Sequence, residues 1–185
     1  MWQYEPKRIA ITGHTDGIGK AIYEGLDNQL VGFSRSNGYD ITNVFHRQEI
    51  IKKSKDCDIF INNAHKKFAQ VSMLNEIYQE WQFKDKLIIN IGTDAVPQTA
   101  WQVVHRMYPV EKAAVHSAVE IIQNDPEGRK VKVTNLALGH VDTEFNKDHK
   151  GPKLSYKTII ETIEWIANQP SEIKSLVLSP FRTEE

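Results

Sequence analysis

An apolar run, Arg8-Ile-Ala-Ile-Thr12, gives way to three glycines at positions 13, 17 and 19, after which a helical pattern runs from Gly19 to Asn28. A strand turning tightly into a helix accounts for this spacing, because glycine admits positive backbone angles and lets other chain segments approach closely. The alternation then repeats. Short runs rich in β-branched residues, suited to strands buried on both faces, fall at Leu30–Ser34, Asp58–Asn62, Lys86–Ile91, Val131–Ala137 and Ser175–Leu178. Segments of helical period separate them, at Asn43–Lys53, Phe68–Phe83, roughly Trp101–Gln123 and Lys157–Asn168. The order predicts an α/β fold, a doubly wound parallel sheet of about six to seven strands. Between Ser36 and Thr42 there is too little chain for a further helix and strand, so one strand-helix unit after the second strand is expected to be cut to a loop. Thr42 or Asn43 would cap the next helix.

Composition narrows the class. At 185 residues the chain reads as one domain spanning 1–185, with 40% hydrophobic and 25% charged residues. A net charge of -1 leaves no electrostatic footprint for nucleic acid, and Lys52-Lys-Ser-Lys55 and His65-Lys-Lys67 are too short to make one. Cys57 is the single cysteine, which excludes a disulfide framework and a thiolate metal site. The seven histidines form no close ligand cluster, so no metal is expected. No run approaches the roughly 20 apolar residues of a membrane span, and Met1 to Lys7 lacks the apolar stretch of a signal peptide; a cytoplasmic location is the expectation.

Three further fragments follow the glycine turn in order: Asn62-Asn-Ala64, Asn90-Ile-Gly-Thr93 and Tyr108-Pro-Val-Glu-Lys112. The turn itself suits a pyrophosphate, which the free N–H groups and positive pole of a helix start would favour. Together the fragments resemble those of the short-chain dehydrogenases/reductases. That family carries Thr-Gly-x3-Gly-Ile-Gly in the first turn, Asn-Asn-Ala-Gly after its fourth strand, a serine after the fifth, Tyr-x3-Lys on the next helix and Pro-Gly-x-Val-x-Thr after the sixth. The resemblance runs from Arg8 to about Thr143 and more loosely to Leu178. It implies a Rossmann-type sheet, a nicotinamide cofactor and a carbonyl or secondary alcohol as small-molecule substrate.

By that resemblance the cofactor would meet Gly13, Thr15, Asp16, Gly17, Ile18 and Gly19 in the first turn, Asp40 and Ile41 at the adenine, and Asn62, Asn63 and Ala64 along the family's fourth strand. Gly139, Val141 and Thr143 would face the nicotinamide end. After the second strand, Ser34-Arg35-Ser36 offers a guanidinium fork and two hydroxyls where a NAD site usually offers an acid, so NADP(H) is favoured over NAD(H). Asp16 argues weakly the other way, and Asp40 also reads as a turn residue after Gly38.

Carbonyl reduction needs a proton donor at the oxygen, and Tyr108 is the expected one. A lysine ammonium nearby would lower its phenol pKa, and Lys112, four residues on, shares its helix face. In the family the equivalent lysine also holds the nicotinamide ribose. Pro109 between them predicts a kink or a fresh helix start. Thr93 stands where the family has serine, with the same hydroxyl chemistry. Asn75 is the candidate for the family's helix asparagine. His65 replaces the glycine of Asn-Asn-Ala-Gly, and Leu138 replaces the proline before Gly139. A lone loop histidine is more often structural than functional.

The leading expectation is therefore an NAD(P)H-dependent reductase or dehydrogenase with Tyr108 as acid or base. The alternative is a catalytically silent NADP(H)-binding regulatory protein of the same fold. Epimerase or dehydratase chemistry on a sugar nucleotide uses the same Tyr and Lys, but this chain lacks room for the larger substrate region of such enzymes. Relatives pair through helices corresponding to Phe68–Phe83 and Trp101–Gln123, so a homodimer or homotetramer is implied. Val71, Leu74, Ile77, Val115, Val119 and Ile122 on those helices read equally as core.

Overall fold

The computed structural model describes residues 7–94 and 107–181. Six strands form one parallel sheet: β1 (Arg8–Thr12), β2 (Gln29–Phe33), β3 (Ile59–Asn62), β4 (Leu87–Thr93), β5 (Lys132–Leu138) and β6 (Ser175–Leu178), in the order β2-β1-β3-β4-β5-β6. Helices α1 (Gly17–Gly25), α2 (Val44–Lys53), α3 (Ala69–Trp81), α4 (Met107–Gln123) and α5 (Tyr156–Ala167) cover both faces.

Strand residues alternate between two cores, as the pleat requires. Ile9, Ile11, Ile59, Ile61, Ile89, Ile91 and Leu136 face Ile22 of α1 and Ile159, Ile163 and Ile166 of α5. Ala10, Phe60, Ile88 and Val133 face the other way, against Ile50 of α2, Met73, Leu74, Ile77 and Trp81 of α3, and Val119 and Ile122 of α4. Both faces of the strands are buried, which is why the strands read as nearly continuous apolar runs. Leu74, Ile77, Val115, Val119 and Ile122 are buried in the chain's own core and Val71 is half-buried, so these residues do not form an outward pairing face. Among the described residues, no helix is long and apolar enough to cross a membrane.

The missing unit is a loop. After β2 comes one 3-10 turn (Arg35–Asn37), then Gly38 at φ 92°, then α2, which Asn43 caps by accepting from the Phe45 N–H at 2.9 Å. Thr42 is not the cap; its N–H donates to Asp40 instead. The edge strand on that side is thus β2, directly beside β1. Chain order reverses between β1 and β3, and this leaves a crevice beyond the carboxyl ends of β1, β3 and β4, where ligands of such sheets bind.

Element limits shift for local reasons. α1 starts at Gly17, two residues before the expected Gly19, because Asp16 caps it; it stops at Gly25 because Leu26 is already extended. β4 continues through Thr93, two residues past expectation, and remains paired with β5 to that end. The first part of the Trp101–Gln123 segment lies outside the described residues. In α4, described from Met107, Pro109 lies inside the continuous helix Met107–Gln123, so no fresh helix starts there.

Candidate active site

Three segments are stitched together at the crevice. The buried Thr12 hydroxyl oxygen accepts from the N–H groups of Asn63 (3.1 Å) and Ala64 (3.0 Å), and the Asn63 side chain donates to the Thr12 carbonyl at 3.0 Å. Gly13, at φ 74°, donates its N–H to the Phe33 carbonyl at 2.6 Å. A Cβ at Gly19 would run into the Gly13 carbonyl oxygen, so the first helical turn lies directly against the turn before it. Gly19→Ala is expected to lower stability by about 1–3 kcal/mol, read by denaturant unfolding, because backbone has to shift to admit the methyl.

Two adjoining cavities occupy the crevice. One, of about 580 Å³, is walled by Gly13, Thr15, Ser34, Arg35, Ser36, Asp40, Ile41 and Ala64. The other, of about 390 Å³, is walled by Gly17, Ile18, Gly19, Thr93, Tyr108, Gly139, Val141 and Thr143. Asp16, Asn63 and His65 line both and mark the seam. The structure thus gathers nearly all the residues expected at a cofactor. In the larger cavity the Ser34 and Ser36 hydroxyls lie 2.8 Å apart beside the exposed Arg35. The Asp40 carboxylate accepts from the Thr42 N–H and hydroxyl, both at 2.8 Å, bonds that hold its pKa below the usual range. Its reading as a turn residue is therefore observed, although it also lines the cavity. The exposed Asp16 accepts from the Gly17 N–H at 2.8 Å as the α1 cap.

Asn62 departs from expectation. It is fully buried behind the cavity wall and donates to the Gln70 carbonyl (2.9 Å) and to Asn90 Oδ1 (2.8 Å). It organises the floor and lines neither cavity.

In the smaller cavity the Tyr108 phenol hydrogen-bonds Thr93. Burial pushes its pKa up, the Thr93 hydrogen bond opposes this, and the charge of Asp94 adds to it. The expected lowering by Lys112 is not found: the phenol's pKa is raised, and Lys112 is not among the groups that shift it. Lys112 is 5% exposed, and its Nζ donates to Gln70 Oε1 (2.9 Å) and the Ile91 carbonyl (3.1 Å), 6.0 Å from the centre of the Tyr108 ring. Burial brings its pKa down to about 8, against the pull of Glu111.

Asn75 is exposed on α3 and lines neither cavity. The α3 residue that bonds Lys112 is Gln70, fully buried behind the cavity wall, which also donates to the Asn62 carbonyl (2.8 Å) and the Ile91 carbonyl (3.0 Å). Gln70 heads the stripe Met73, Leu74, Ile77 and Trp81, and a polar residue at the head of a buried helical stripe was its signal in the sequence. Asn75, five positions on from Gln70, points about 140° away from it at 100° per residue.

Two other residues join the site. Asp94 lines the smaller cavity and accepts from the Ser179 hydroxyl at 2.9 Å. Glu111, nearly buried between Tyr108 and Lys112 in sequence, sits 3.0 Å from His65 Nε2. The His65 ring meets Tyr108 edge-to-face, centroids 5.2 Å apart at 82°.

No protein-family model matches the sequence. An uncharacterized oxidoreductase of Staphylococcus saprophyticus is 24% identical, the match covering 94% of this chain and 96% of that protein. Solved structures share the fold. A short-chain dehydrogenase from Burkholderia cenocepacia in complex with NADP superposes with a TM-score of 0.75 at 17% identity, over 95% of this chain and 89% of that one. The 3-alpha-hydroxysteroid dehydrogenase of Pseudomonas sp. B-0831, complexed with NADH, gives 0.75 at 19% identity, over 92% and 94%. The 3-ketoacyl-(acyl-carrier-protein) reductase of Brucella melitensis, also complexed with NADH, gives 0.76 at 15% identity, over 94% and 97%. The six-stranded parallel sheet with its flanking helices is thus a Rossmann-type fold, shared with these solved structures.

Proposed function

We propose that this chain, residues 1–185 as one domain, is an abbreviated short-chain dehydrogenase/reductase that exchanges hydride between a nicotinamide dinucleotide and a carbonyl or secondary alcohol. The observation that carries this reading is Tyr108. Its phenol, bonded to Thr93, opens into a cavity continuous in lining with the glycine turn, and a buried Lys112 lies on the same helix face. The residues fit the cofactor. The close Gly13–Gly19 approach and the α1 N-terminus leave a side-chain-free cradle for a pyrophosphate, and the two cavities sharing a seam suit the two halves of a dinucleotide.

Arg35, Ser34 and Ser36 would hold a 2′-phosphate, which favours NADP(H). When bound, the reduced dinucleotide supplies the hydride to the carbonyl carbon. Thr93 and Tyr108 both reach the carbonyl oxygen, and Tyr108 gives that oxygen its phenolic proton, so that the C=O becomes CH–OH and a phenolate remains to be reprotonated from water. In the alcohol-oxidising direction the same group takes the proton back. We assign the protein to the cytoplasm and to a homodimer or homotetramer, for which Val110 and Ile121, exposed on α4, offer apolar contact.

Titration with NADPH and NADH in parallel, read by energy transfer from the four tryptophans to the reduced nicotinamide, tests the reading. NADPH is expected to bind at least about tenfold more tightly, and Arg35→Ala to erase most of that difference, as loss of a charge-assisted pair implies. Binding of neither would overturn the proposal. Tight binding with no turnover across a panel of aldehydes and ketones would favour a regulatory protein instead.

A further inference from the structure

His65 occupies a position that the family pattern gives to glycine, and the structure gives its ring three constraints. Its Nε2 faces the Glu111 carboxylate at 3.0 Å. Its ring stands edge-to-face with Tyr108, 5.2 Å between centroids. Its Nδ1 is buried with no partner at hydrogen-bond distance. The imidazole also lines the seam shared by the two cavities.

We propose that His65, clamped by Glu111, is a positioning residue that holds the Tyr108 ring in place while the imidazole is neutral and releases it when the imidazole takes a second proton. The proposal rests on the reading of Tyr108 as the acid. In the neutral ring, Nε2–H donates to Glu111, which fixes the tautomer and leaves Nδ1 a bare acceptor. A second proton goes to Nδ1. There it sets a second positive charge beside the buried Lys112 ammonium, which already donates to the neighbouring Gln70 Oε1. The ring relieves this by shifting, and the Tyr108 contact shifts with it.

The charges around the ring come from several elements. Glu111 of α4 favours the imidazolium, as does the Gln70 amide of α3. Burial and the Lys112 ammonium disfavour it more strongly, and the balance leaves the pKa below the usual histidine range. Asp16, at the start of α1, lines the same seam, and Asp94 at the end of β4 acts on Tyr108. The neutral ring is accordingly the form present at pH 7, and the switch falls on the acid side.

The first test needs neither cofactor nor substrate. Protein labelled with 3-fluorotyrosine is titrated by 19F NMR, the Tyr108 signal being assigned from Tyr108→Phe. That signal is expected to move with a midpoint below the usual histidine range, and to lose this step in His65→Gln, which keeps a donor for Glu111 but does not titrate. In steady-state reduction, the acid limb of kcat should share that midpoint and vanish in His65→Gln. His65→Ala should lower kcat about fivefold at neutral pH, with KM within about twofold, as loss of an edge-to-face contact implies. A Tyr108 signal that stays still, or moves equally in His65→Gln, overturns the proposal. A signal that moves as expected in a protein without turnover supports the positioning and refutes the reductase reading alone.

Discussion

Tyr108→Phe is expected to lower turnover about 10³-fold, the usual worth of a positioned general acid, while leaving the NADPH dissociation constant within about twofold. The phenol ring stays, so the cavity wall and the edge-to-face contact with His65 survive. What is lost is the proton and its hydrogen bond to Thr93. Because burial pushes the phenol above its ordinary value, Tyr108 carries its proton throughout the neutral range, which suits reduction of a carbonyl. Alcohol oxidation, which needs the phenolate, should rise with pH into the alkaline range in the wild type and show no such rise in the variant. Stopped-flow decay of the reduced nicotinamide under single-turnover conditions separates this chemical step from binding. Full reductase activity in the Phe variant would refute the assigned acid.

The sequence made the sheet legible because its strands are buried on both faces: runs such as Lys86–Ile91 have no solvent side to interrupt them, and β-branched residues mark them plainly. The truncated unit after β2 was equally plain, since counting residues between Ser36 and Thr42 needs no geometry. The floor of the site was not. Whether Asn62 touches a ligand or supports one depends on which side of β3 it faces at the strand's last residue, and the pleat buries it against Gln70 and Asn90. Asn75 was favoured by residue type, whereas helical phase selects Gln70. The Tyr108 pKa depends on where the Lys112 ammonium points, and hydrogen bonds to Gln70 and Ile91 draw it below the ring. Glu111 lay between two recognised residues, yet its role required the approach of His65 from the β3–α3 loop.

Lys112 should be a residue whose removal abolishes function and raises stability. Its folded pKa of about 8 lies below the unfolded value of 10.5, so between these the unfolded chain holds more protons and stability rises with pH. Below pH 8 the full deficit is present, about 3 kcal/mol at 1.36 kcal/mol per unit. Lys112→Met fills the same space and removes the buried charge. It also removes the donors to Gln70 Oε1 and the Ile91 carbonyl, worth about 1 kcal/mol each, although that carbonyl keeps its bond from Gln70 Nε2. The net expectation at pH 7 is a gain of about 1–2 kcal/mol, or roughly 2–8 °C in Tm for a chain of this size. Urea unfolding between pH 8 and 9.5 provides the sharper check, because the slope of stability with pH should fall in the variant by up to one proton's worth, about 1.4 kcal/mol per pH unit. Lys7 and Lys86, also lowered by burial, keep some slope in both proteins. Above pH 10 the raised phenols of Tyr78, at about 12, and Tyr108 reverse the trend, since the unfolded chain ionises first. A Met variant less stable than the wild type at pH 7 would mean that the hydrogen bonds of the ammonium outweigh its desolvation. A gain in stability with loss of turnover would identify Lys112 as a charge kept in the core for chemistry, at the expense of the fold.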